Sequence, residues 1–189
     1  KRERGVGENL IEDFMIIANE CVATHIFYME LPFIYRIHEV PDEEKIKSYL
    51  SYMQSLGYTY NGNIKDTSPK TVQKLLDFVK KKPESKILSS LLLRSMRKAV
   101  YEPVNKGHYG LASKCYTHFT SPIRRYPDTT VHRLLRTYLF NKNINMNVIK
   151  YWDQKLISLS LHTSERERAA IECEREVDDM KMAEYMEKH

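Results

Sequence analysis

The sequence is poor in cysteine, and what it has is dispersed. Its three cysteines are Cys21, Cys115 and Cys173, an odd number set far apart. No CxxC pair or Cys/His ligand spacing occurs, which excludes a disulfide framework and a structural zinc site read from sequence. Free thiols suit a reducing cytoplasm, so a cytoplasmic protein is expected. Long apolar runs are also missing. None approaches the ~18–20 residues that span a bilayer, so no membrane partner is expected. The first ten residues, KRERGVGENL, are basic but lead into no apolar core of a signal peptide. The chain starts without Met and reads as a fragment. There is no internal repeat, no low-complexity segment, no Gly-rich phosphate loop, no GxSxG elbow and no HExxH pair. These absences leave no small-molecule cofactor to expect.

What remains is the composition of a soluble globular chain. Hydrophobic residues make up 42% and charged residues 29% of 189 residues. That length gives one domain with a sizeable core, or two small ones. The balance of 30 basic against 25 acidic residues is mild. It permits an anionic partner and demands one only where the charge clusters.

The punctuation marks helices. From Asn9 to about Met29, apolar residues recur at Leu10, Phe14, Ile17 and Cys21, and again at Ile11, Met15, Ala18 and Val22. Two neighbouring stripes predict a wide-faced, largely buried helix. The stretch LPFIYRIHEV (31–40) is rich in β-branched and aromatic residues and predicts a short strand. Pro41, with Asp42, Glu43 and Glu44 behind it, opens a helix with Ile46, Tyr49, Leu50, Met53 and Leu56 inward and Gly57 as its stop. Asn61-Gly62 predicts a turn. Ser68-Pro69 starts the next helix, with Val72, Leu75, Leu76 and Val79 inward. Ser85 is the expected cap of another, running to about Val100.

The helical pattern stops from Tyr101 to Pro127. A strand is expected at 114–120 within this irregular, Tyr- and His-rich segment, whose length marks it as functional ground. Helices are expected again at 128–141, 147–162 and 164–187. The last has Ser164 and Glu167 at capping-box spacing. The fold class is therefore α+β, predominantly helical, with a few short strands.

The chemistry concentrates in THFTSPIRRYPD (117–128), where Arg124 and Arg125 stand side by side between Pro122 and Pro127. In an extended chain successive side chains alternate, so one arginine can face a ligand while the other pairs inside the protein. A guanidinium grips a phosphate in bidentate fashion, and Thr117, Thr120 and Ser121 add neutral donors. The plainer reading is a pair of surface arginines with packed stems. Tyr101, Tyr109, Tyr116, Phe119 and Tyr126 crowd the same segment. Aromatics among basic groups suit single-stranded nucleic acid, and they equally suit a core edge.

Glu174 falls on one helix face with Ala170, Val177 and Met180, so an inward carboxylate paired with Arg124 or Arg125 is one reading and a local helix pair is the other. Glu12 and Asp13 are adjacent acids in the first helix, suited to acid/base work or a metal. Otherwise Asp13 faces solvent and Glu12 caps a hydrogen-bond network. His108, His118 and His132 lie in or beside the irregular segment without ligand spacing and read as hydrogen-bonding residues.

YTHFTSPIRRYPD (116–128) followed by VHRLL (131–135) resembles the hallmark segment of the ribonuclease II / ribonuclease R (RNB) family. LIEDFMIIANECVA (10–23), PFIYRIHEVP (32–41), HYGLA (108–112) and ERERAAIECEREVDDMKMAEYM (165–186) agree in the expected order, most like the family's bacterial ribonuclease R members. The resemblance implies a hydrolytic exoribonuclease. Such enzymes degrade single-stranded RNA processively from the 3′ end to nucleoside 5′-monophosphates with Mg²⁺. It implies that Arg124 grips the scissile region and that Glu174 is a catalytic carboxylate near the 3′-terminal nucleotide. Glu12, or its neighbour Asp13, would contact the terminal ribose. Tyr116, Thr117, His118, Thr120, Ser121, Arg125 and His132 are the remaining expected RNA contacts.

The family's aspartate cluster, which holds the metal, is not found here: Asp42, Asp66, Asp77, Asp128, Asp178 and Asp179 are scattered or helical. The expectation is therefore that residues 1–189 are the C-terminal part of an RNB catalytic domain. The Mg²⁺ ligands and flanking RNA-binding barrels would lie upstream and beyond, and the fragment would be monomeric and inactive alone. A non-catalytic module binding single-stranded RNA is the alternative, and a helical scaffold with an internal Arg pair is a third reading.

Overall fold

A computed structural model describes residues 5–60 and 68–188. The elements run α1 (Val6–Tyr28), β1 (Tyr35–Ile37), α2 (Glu43–Ser55), α3 (Pro69–Lys80), α4 (Ser85–Ser95), β2 (Val100–Glu102), a 3-10 turn (Tyr109–Leu111), α5 (Tyr126–Leu135), a π turn (Arg136–Phe140) and α6 (Met146–Lys188). The α+β, mostly helical class holds.

Two apolar clusters organise these elements. One joins Ala23 and Ile26 of α1 to Phe33, Ile34 and Ile37, to Val131 and Leu134 of α5, and to Leu156 of α6. The other is closed within α2, α3 and α4, through Ile46, Met53, Leu75, Val79, Leu88 and Leu92. The local signals explain the second cluster well. Asp42 caps α2 by accepting from the Glu44 N–H at 2.9 Å. Gly57 follows α2 at φ +81°, the left-handed position that glycine adopts freely. Ser68 caps α3 from the Thr71 N–H, with Pro69 as the first helical residue.

Several expectations are corrected. The strand at 31–40 shrinks to Tyr35–Ile37, which pairs antiparallel with β2 so that Arg36 lies opposite Tyr101. The strand at 114–120 is not formed. Its backbone is held instead by side chains, Asn19 of α1 and Asn105, Ser113 and His132 nearer by, and by the backbone bond from Arg36 N–H to Tyr116 O at 2.9 Å. Glu84, not Ser85, is the cap residue of α4, and α4 ends at Ser95, which frees Val100–Glu102 to form β2. The helix expected at 128–141 begins at Tyr126 and changes to a π turn after Leu135. The two last helices are one, Met146–Lys188. Ser164 does not cap a helix there. It sits mid-helix, buried, and its Oγ accepts the Tyr101 N–H at 2.9 Å.

The first helix is not largely buried. Only Asn19, Ala23 and Ile26 are, while Leu10, Ile11, Phe14 and Ile17 are more than half exposed. Its two stripes need two packing surfaces, and among the described residues the core meets only the C-terminal half. The Asn61-Gly62 turn lies outside the described residues.

Candidate functional site

The irregular segment is built on α1 by a single buried amide. Asn19 Nδ2 donates to the Tyr116 hydroxyl at 2.9 Å, and Asn19 Oδ1 accepts the Phe119 and Thr120 N–H groups at 2.8 and 3.2 Å. Backbone donors outside helices and strands need partners when buried, and this side chain supplies them for two consecutive residues. Thr117 is buried too, its hydroxyl donating to Ile34 O at 2.7 Å.

The chain then turns at Ser121, whose carbonyl accepts the Arg124 and Arg125 N–H groups. The turn, rather than an extended strand, sends the two arginines apart. Arg125 sits just before α5 in extended backbone and reaches back to Asp128 in the first helical turn. Asp128 Oδ2 accepts from Arg125 Nε at 2.8 Å, and Oδ1 accepts from Nη2 at 2.7 Å. The same Oδ1 takes the Ser121 N–H at 2.8 Å. Asp128 is fully buried, and three donors and the helix N-terminus together stabilise its charge there. Arg124 is exposed, and its guanidinium makes no hydrogen bond or ion pair with any described residue.

A cavity of about 490 Å³ opens between α1 and this loop, lined by Glu12, Asn19, Tyr116, His118, Thr120, Arg124 and Arg125, with Ile11 and Met15 on its apolar side. The Thr120 hydroxyl is buried there with no partner among the described residues. His118 Nδ1 lies 2.7 Å from the Tyr101 hydroxyl. Burial, then the charges of Arg125 and Arg36, push the His118 pKa down to about 3. Burial, then His38 and Arg36, bring His108 down to about 4. Burial raises the Tyr101 hydroxyl to about 12. His108 and His118 are thus neutral at pH 7, and the cationic groups of the lining are Arg124 and Arg125, with the carboxylates of Glu8 and Glu12 in the same cavity.

Of the residues singled out from sequence, Glu12, Tyr116, His118, Thr120, Arg124 and Arg125 meet at this cavity. Thr117 turns into the core, and Ser121 contributes its backbone. His132 lies outside the cavity lining, its ring stacked on Phe119 at 4.4 Å and its Nε2 3.0 Å from Phe119 O. The expected inward Glu174 is corrected: it is exposed, as are Ala170, Val177 and Met180, and it bonds to neither arginine. This half of α6 extends beyond the core, so its apolar face meets no described element.

Asn19 was not among the sequence candidates, although it falls at helical spacing with Met15, Ala23 and Ile26, a polar residue on the buried face. Also missed was the group formed by Arg36, Tyr101 and Glu167. Arg36 lies 4.5 Å over the Tyr101 ring and donates to Glu167 Oε2 at 2.6 Å. No local pattern links residues 65 positions or more apart.

Among the described residues, no three His, Cys, Asp or Glu side chains come together as a metal site. The cavity offers two carboxylates, Glu8 and Glu12, beside two arginines, and that donor set alone does not fit Mg²⁺. No helix of the described residues is long and apolar enough to cross a membrane.

The comparison with known proteins agrees with this geometry. The RNB domain pattern matches residues 1–141. The chain is 46% identical to ribonuclease R 1 of Lactococcus lactis over 189 residues, covering all of this chain and 23% of that protein. It is 47% identical to ribonuclease R of Thermotoga maritima over 189 residues, again all of this chain and 26% of the relative. The structure of Mycoplasma genitalium RNase R in complex with ribose-methylated single-stranded RNA superimposes with a TM-score of 0.86 at 32% identity, over 95% of this chain and 28% of that one. The chain spans about a quarter of the length of these relatives. With its hallmark loop, buried amide and helical frame in place, the chain belongs to the RNB domain family.

Proposed function

We propose that this chain is the RNA-gripping C-terminal part of the catalytic domain of a 3′-to-5′ exoribonuclease. The enzyme would hydrolyse single-stranded RNA processively to nucleoside 5′-monophosphates. One observation carries the reading: of two adjacent arginines, Arg125 is held by buried Asp128, and Arg124 lines a cavity with no partner among the described residues. The Thr120 hydroxyl beside it, buried with no partner among the described residues, is a group that calls for a ligand or water to complete it.

The residues divide the work by their chemistry. Arg124 offers a planar, bidentate donor to the scissile phosphate and to the charge that grows on it during hydrolysis. Arg125 holds the loop. Thr120 Oγ donates to the strand, and Tyr116 and His118 present rings to its terminal bases. Glu12, which lines the cavity, would accept from a ribose 2′-hydroxyl, a contact that would favour RNA over DNA. Glu174 would join this group only when the outer half of α6 is packed against further structure. Mg²⁺ would supply the activated water. Its ligands would come from an upstream segment of a longer protein, a reading supported by the lack of a metal cluster among the described residues. A cytoplasmic, monomeric enzyme fits the reading.

The test uses 5′-labelled single-stranded RNA with Mg²⁺ on a sequencing gel. The chain alone leaves the RNA intact. The chain joined in its family position to the Asp-bearing upstream segment of a ribonuclease R relative gives a ladder shortening from the 3′ end. RNA bound but never cleaved by the joined protein would establish the alternative, a non-catalytic RNA-binding module.

A further inference from the structure

A second cavity, of about 420 Å³, lies between β1, the segment entering β2, and the outer face of α6. Arg36 forms its floor. This side chain is 13% exposed, rests on the Tyr101 ring, and has one acceptor among the described residues, Glu167. A guanidinium carries five N–H groups in its plane, and stacking covers only its face. The remaining donors of Arg36 meet no acceptor among the described residues, and they are not among the atoms sealed from solvent, so they are open to the cavity. Around the rim stand Lys98, Arg168 and Arg175, opposed by Glu167 and Glu172. Arg168 uses Nε on the Ser164 carbonyl at 3.3 Å. Lys98 and Arg175 pair with no described residue. Four cations against two carboxylates leave an excess of two positive charges around one half-buried guanidinium with donors open to the cavity.

We propose that this cavity is a second phosphate-binding site, separate from the one at Arg124. The charge excess matches a phosphate group, and the in-plane donors of Arg36 match its oxygens. The two cavities are joined back to back. Arg36 stacks on Tyr101, whose hydroxyl meets His118 Nδ1, and His118 lines the Arg124 cavity. A phosphate held at Arg36 is therefore placed behind the site that grips the strand. The phosphate chemistry stands on these residues alone. That the phosphate belongs to an RNA strand, and not to a free mononucleotide, rests on the function proposed above.

The experiment follows the Arg36 Nε–Hε signal of the ¹⁵N-arginine-labelled chain during titration with decauridylate or with uridine 5′-monophosphate. A shift with decauridylate alone assigns the site to a strand. A shift with the mononucleotide assigns it to a free nucleotide, and a shift with the mononucleotide while no RNA binds anywhere upholds the site and refutes the RNA reading. In parallel, fluorescence anisotropy measures decauridylate affinity against salt for the wild-type chain and for Lys98→Ala/Arg168→Ala. For a strand site, the variant binds about tenfold more weakly at low salt. Its salt slope also falls by about 0.7, the loss of one phosphate contact. An Arg36 signal that moves with neither ligand overturns the proposal.

Discussion

Among the described residues, Asp128 and Arg125 form the one carboxylate–guanidinium contact whose carboxylate is fully buried, two parallel bonds of 2.8 and 2.7 Å at the start of α5. The consequence falls on the neighbour. With Arg125 committed, the loop presents Arg124 alone.

The two arginines therefore differ in what their loss costs. Asp128→Ala strands Arg125 and the Ser121 N–H, and should destabilise the chain by about 3–5 kcal/mol, the range for breaking a buried pair. Arg125→Ala should be nearly as damaging, because it leaves a carboxylate in the core. Arg124→Ala should stay within about 0.5 kcal/mol of wild type, as for a surface change. Urea unfolding of the three variants measures this order. Equal losses for Arg124→Ala and Arg125→Ala would refute the assignment.

Asn19 is the second structural commitment. Asn19→Ala orphans the Phe119 and Thr120 N–H groups and the Tyr116 hydroxyl, at a cost of about 1–3 kcal/mol. Asn19→Asp keeps both acceptor roles, and the Tyr116 hydroxyl can turn to donate, so its loss should be smaller. Hydrogen exchange at Phe119 and Thr120 provides the local readout. Both amides should exchange faster in Asn19→Ala, while those of α3 keep their protection.

Acid should weaken the fold through its histidines. His118 and His108 have folded-state values near 3 and 4, below the ordinary 6.5. Between those limits the unfolded chain binds protons that the folded chain refuses, so stability falls as pH falls below about 6.5. At pH 7 and above both states hold these rings neutral, and the contribution is flat. His118 alone adds a slope of up to about 1.4 kcal/mol per pH unit in that window. Urea midpoints from pH 7.5 to 5 should drop for wild type and drop less steeply for His118→Gln. Identical slopes would mean that His118 is not held neutral by its surroundings.

These relationships show where sequence reading reaches and where it stops. α3 was legible because its start is chemical: Ser68 before Pro69 places a side-chain acceptor where the first N–H groups need one. α2 was legible from Pro41 and the acids behind it, although Asp42, expected inside the first turn, is the cap itself and the helix begins at Glu43. The hallmark loop was legible as a pattern, and the division between its arginines was expected, but from a strand-like alternation. The structure reaches it by a turn at Ser121. The break expected before Ser164 failed because Ser-x-x-Glu spacing also occurs inside helices. Here Ser164 serves β2 and Glu167 serves Arg36, partners that sequence distance hides. Asn19 was hidden for the same reason, since its three bonds cross about 100 residues. The exposed faces of α1 and outer α6 read as buried because amphipathic spacing shows which face is apolar and not what covers it.

The central claim is that Arg124 is the arginine that holds RNA. Its most direct test is the affinity of the wild-type chain and of Arg124→Ala for a fluorescein-labelled single-stranded RNA, measured by anisotropy at low salt, with urea unfolding of the same samples. The account predicts that Arg124→Ala binds about tenfold more weakly, in keeping with loss of one charge-assisted phosphate contact, while its unfolding midpoint is unchanged. Unaltered RNA affinity in a folded Arg124→Ala chain would contradict it.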